Sequence, residues 1–135
     1  MSSLNILSIE DGDAYAQAIK HLLEQELQHC TVRILNPSRE HPPTFEAFFE
    51  EIEEATKECG LVKTVVLLDN HLGRWRWKGA NIAPSLHNVI SISSEKVGWA
   101  KFCFQAKAQL TDGEPARTQE FLDEIMRISA PFRKK

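Results

Sequence analysis

Residues 63–68, KTVVLL, form the strongest apolar run in the chain and stop at a single carboxylate, Asp69. So short a run, with no alternation of polar and apolar side chains, has no solvent-facing side and reads as a strand buried on both faces. A strand of this kind needs helices above and below it. The expectation from this one segment is a parallel sheet inside an α/β domain.

The flanking segments supply the rest. Residues 4–9 are another short apolar run, ending abruptly in Glu10-Asp11-Gly12-Asp13. From Asp13 to about His29 the period changes to three and four, placing Tyr15, Ala18, Ile19, Leu22, Leu23 and Leu27 on one helical face. Asp13 is placed to cap the first turn. Residues 31–35 read as a strand, and 36–43, NPSREHPP, as a loop that can hold neither ladder nor helix. Thr44 then caps a helix with Phe45, Phe48, Phe49, Ile52 and Ala55 as its buried stripe and a glutamate-rich, solvated opposite face. Gly60 follows where a C-cap belongs.

Further strands are expected at 88–93 and 101–106, with only a weak helix at 79–86, where Pro84 interrupts it. A last helix starts at Pro115 and carries Phe121, Leu122, Ile125, Met126 and Ile128. Strand and helix alternate through all 135 residues without repeat, linker or boundary. One domain over residues 1–135 is expected, with five parallel strands and helices on both faces.

Composition narrows the function classes. Sixteen basic residues stand against 19 acidic ones, a formal net charge of −3, which argues against nucleic acid as a partner of the whole domain. Cys30, Cys59 and Cys103 are far apart and show no zinc-ligand spacing, so they read as small buried residues in a reducing compartment. No apolar run is long enough to span a bilayer. The start, MSSLNILSIED, has neither the basic residues nor the long apolar core of a signal peptide. A cytoplasmic protein without membrane contact is expected.

In a doubly wound sheet, functional groups gather outside the C-terminal ends of the strands. Those ends read Glu10 and Asp11, then Asp69, then Ser93, then Lys107. Carboxylates sharing a crevice repel unless a cation joins them, and an oxygen-only ligand set suits Mg²⁺. A divalent ion and a lysine ammonium could neutralise an incoming phosphoryl group, and a serine hydroxyl could donate to it. Asp69, alone at the end of the central strand, is then the natural nucleophile for phosphorus.

Taken in order, ILSIED, VVLLD, VISIS and FQAK resemble the response regulator receiver family of two-component signalling. That resemblance implies a flavodoxin-like three-layer α/β/α fold. By it, Glu10 and Asp11 match the acidic pair that holds Mg²⁺, and Asp69 matches the phosphoacceptor. The backbone carbonyl of His71 matches a further metal ligand. Ser93 matches the switch hydroxyl, Lys107 the lysine that contacts the phosphoryl group, and Phe104 the aromatic switch. The partners implied are a histidine kinase or phosphotransfer protein upstream and a protein target downstream, with a homodimer compatible. Catalysis would be confined to the domain's own phosphorylation and dephosphorylation.

The chain departs from the family pattern in several places. Ala108 stands where proline usually follows the lysine, and the loop after Asp69, NHLGRWRWKG, is long. Residues 94–100 leave room for only a shortened or missing fourth helix. A degenerate receiver that docks partners without phosphorylation is therefore the alternative. A small phosphatase built on Asp11-Gly12-Asp13 is a remote one, since the further motifs it needs are lacking. The alternating Arg74, Trp75, Arg76 and Trp77 should flank Asp69 and read as a protein-contact surface. PFRKK closes the chain soon after the last helix, so the expected output is protein contact.

Overall fold

The computed structural model describes residues 4–10, 12–27, 29–35, 44–72, 78–93, 97–105 and 115–133. Along the chain run β1 (Leu4–Ile9), α1 (Asp13–Glu26), β2 (Cys30–Leu35), α2 (Phe45–Ala55), β3 (Thr64–Leu68), α3 (Gly79–Ile82), β4 (Val89–Ser91) and α4 (Pro115–Arg133). Short 3₁₀ turns precede β3 at Leu61–Lys63 and follow α3 at Ala83–Ser85.

The strands form one parallel sheet in the order β2-β1-β3-β4. β3 is buried at every residue and pairs with β1 on one side, Ile9 opposite Leu68, and with β4 on the other, Leu68 opposite Ser91. Side chains alternate across the pleat, so one strand feeds two cores. Val65 and Leu67 join Ile6, Ile90, Ile19 of α1 and Ile125 of α4. Val66 and Leu68 join Leu7, Phe48 and Ile52 of α2 and Ile82 of α3. Helices therefore cover both faces.

Local chemistry explains the element ends. The Thr44 Oγ1 accepts from the Ala47 N–H at 3.1 Å and caps α2. Gly60, with φ +91°, provides the left-handed turn into Leu61–Lys63. Pro84 confines α3 to one turn, which tightens into 3₁₀ geometry. β2 is an edge strand: Thr31 and Arg33 are exposed, and Arg33 reaches Glu58 at 3.3 Å.

Four expectations are corrected. The sheet has four strands among the described residues, not five. In place of the fifth, the segment around Cys103 makes one parallel bridge to Ser91. The Ser91 N–H donates to the Phe102 carbonyl and the Phe104 N–H to the Ser91 carbonyl. β4 is only three residues long, so there is little ladder to extend. Arg117 also holds the segment, stacking on the Phe102 ring at 4.8 Å and donating to the Cys103 carbonyl. Second, α1 begins at Asp13 itself, with Gly12 in the cap position. Third, Met126 is exposed while Phe121, Leu122 and Ile125 fill the core. Finally, the three cysteines are free but only partly buried, and burial pushes the Cys30 thiol up from its ordinary value.

Residues 97–101 bend without forming a helix. No helix among the described residues is long and apolar enough to cross a membrane.

Candidate functional site at the strand ends

Each strand is a run of apolar residues that stops where a polar one begins, and the parallel register brings those stops together. Beyond the last β1–β3 pair, the Asp69 N–H donates to the Ile9 carbonyl at 3.0 Å, so Asp69 stands beside Glu10 one strand away. The Ile92 N–H likewise donates to the Leu68 carbonyl at 3.1 Å and carries Ser93 out at the same edge. Adjacent strands lie about 4.8 Å apart, so the edge presents two carboxylates and a hydroxyl on three neighbouring strands.

All three are buried: Glu10 is 1% exposed, Asp69 5% and Ser93 0%. Carboxylates are rarely so buried unless hydrogen bonds or cations compensate them. For Glu10 part of that compensation is local, since its Oε2 accepts the Gly12 N–H at 2.9 Å. The contact draws the chain over the carboxylate just before α1 begins, which places Gly12 in the cap position.

The loop after β3 is held by residues that sequence reasoning passed over. The Asn70 Oδ1 accepts the Ala80 N–H at 3.2 Å, and its carbonyl accepts the Gly79 N–H at 2.9 Å. A Cβ built on Gly79 would lie 2.5 Å from the Asp69 carbonyl oxygen, so the first turn of α3 packs backbone against backbone on the Asp69–Asn70 peptide. At the neighbouring strand end, the Ser91 Oγ accepts the Ser93 N–H at 3.2 Å and fixes the turn that carries Ser93. The only sequence signal for any of these was a glycine at a helix start, preceded by Lys78.

His71 is exposed two residues beyond Asp69. Phe104 is fully buried and stacks on Phe121 of α4, with centroids 4.1 Å apart and planes within 2°. Asp11, Lys107, Arg74, Trp75, Arg76 and Trp77 lie outside the described residues.

Among the described residues no group of three His, Cys, Asp or Glu side chains could hold a metal ion. Glu10 and Asp69 nevertheless offer oxygen donors alone, and one or two carboxylates completed by water is the set Mg²⁺ commonly takes. In donor chemistry they fit that ion.

Compared with known proteins, the chain matches no family model, no curated protein and no solved structure.

Proposed function

We propose that the chain is a cytoplasmic phospho-switch of the receiver type, with a flavodoxin-like three-layer fold in which the segment around Cys103 takes the place of a fifth strand. Asp69 accepts a phosphoryl group from a histidine kinase or phosphotransfer protein. The observation that carries this reading is the burial of Glu10, Asp69 and Ser93 together at the C-terminal ends of three hydrogen-bonded parallel strands.

In the step itself, an Asp69 carboxylate oxygen attacks phosphorus and forms a P–O bond. The P–N bond to the donor histidine breaks, and the freed imidazole nitrogen keeps the electron pair. Glu10 and Asp69, with Asp11 and the His71 carbonyl, are the groups that would hold Mg²⁺, which when bound supplies positive charge to the phosphoryl oxygens. Ser93 donates to one phosphoryl oxygen and Lys107 neutralises another. Hydrogen bonds to Asn70 keep the Asp69 backbone still while this happens. Because Phe104 follows the bridge to Ser91 and stacks on Phe121, a shift at Ser93 passes into α4, where a protein target or a second copy of the chain reads it.

A docking module that works without phosphorylation is the second reading, favoured by the absence of a helix at residues 97–101. Intact mass after incubation with acetyl phosphate and Mg²⁺ separates the two. We expect an adduct of one phosphoryl group on the wild-type chain, dependent on Mg²⁺ and absent from Asp69→Asn. No adduct on either chain would leave the docking reading in its place.

A further inference from the structure

The connection from β4 to the segment around Cys103 forms no helix among its described residues. A crossover between parallel neighbours ordinarily brings a helix to the sheet face, but residues 97–101 only bend. Among the described residues of this connection, the Trp99 indole packs against the core shared by α2 and α3. Beside it opens a cleft of about 300 Å³, floored by Ala83, Leu86, Val89 and Ile128. Val89 begins β4 whereas Ser93 follows its end, so the cleft opens about 13 Å from the phosphoacceptor edge by strand rise alone.

The volume reaches the lower end of the range for small-molecule sites, and the lining sets apolar side chains beside the polar Asn88, Lys101, Glu124 and Arg127. Those polar groups are biased toward cations. Glu124 is held by Arg127, which leaves Lys101 at the rim with no ion pair among the described residues. The Trp99 Nε1 is buried with no acceptor among the described residues, an arrangement that native structures seldom keep without a reason. An indole in that state beside an open cleft has room to turn and a donor to offer.

We infer that this cleft is a binding site for a small organic anion with a flat apolar body. The body lies on Val89, Leu86 and Ile128 against the indole, and the anionic head meets Lys101. Binding turns the Trp99 ring so that its N–H finds an acceptor on the ligand. The site is independent of the chemistry at Asp69.

The probe is 1-anilinonaphthalene-8-sulfonate, an aromatic anion of this class whose fluorescence rises in apolar surroundings. It is titrated into the folded full-length chain, with thermal melting to confirm the fold of each variant. The expected result is saturable one-to-one binding that raises the melting temperature. Ala100 also lines the cleft; affinity should fall at least tenfold in Ala100→Trp, which fills it, and several-fold in Lys101→Glu, which reverses the rim charge without touching the core. Binding that does not saturate, or that is unchanged in both variants, overturns the proposal. So does a concentration-dependent dimer that Ala100→Trp dissociates, since a second copy would then be what covers the cleft.

Discussion

A methyl group on Gly79 would sit 2.5 Å from the Asp69 carbonyl oxygen and 3.0 Å from the Asn70 Cα. Both neighbours are backbone, so neither can swing aside as a side chain would. Gly79→Ala is expected to destabilise the protein by about 1–3 kcal/mol through overpacking, measured as a lower urea midpoint at unchanged slope. At this scale the sequence was informative about groups whose position follows from one segment. Glu10, Asp69 and Ser93 each end an apolar run, so their place at the sheet edge could be read from the run itself. Asn70, Gly79 and Ser91 could not be read so. Their roles depend on contacts made only after β3, α3 and β4 have come together. The cap at Asp13 misled for a related reason: the carboxylate of Glu10 takes the Gly12 N–H and starts the turn one residue early.

Among the elements, α1, α2 and the first three strands were legible because each is a long or strongly patterned stretch bounded by Gly, Pro or a capping residue. The segment 101–106 was not, although KFCFQA has the alternation of a strand. Strand formation there depends on the length of its neighbour, and β4 offers three residues. Beyond its one bridge to Ser91, it is attached by α4, through Arg117 on Phe102 and Phe121 on Phe104. Phe104→Ala and Phe121→Ala should each cost about 3–5 kcal/mol as large core truncations. The double variant should fall short of the sum, with a coupling of about 0.5–1.5 kcal/mol for a stacked pair. Equilibrium denaturation of the four proteins in the cycle tests this. Strict additivity would mean that the rings touch without holding the segment to the helix.

In the molecule as a whole, β3 contributes alternate residues to both cores, Val65 and Leu67 to one and Val66 and Leu68 to the other. Neither core can come apart while the other keeps its strand. Unfolding is therefore expected in one transition, with tryptophan fluorescence, to which Trp99 on one face contributes, and far-ultraviolet circular dichroism giving the same midpoint. Two separated midpoints would show that the helical layers melt independently. The sheet also has a margin in the edge strand β2. β2 carries exposed Thr31 and Arg33 along its length, and Arg33 is paired with Glu58. A strand from another molecule docking against that margin would have to bring its own backbone up to a guanidinium and a carboxylate, both well hydrated. Charge at such a border is how sheet proteins keep their neighbours from joining on. The ion pair adds little to stability in so exposed a place; its consequence belongs to colloidal behaviour, since charge at a sheet margin disfavours edge-to-edge joining in a concentrated solution.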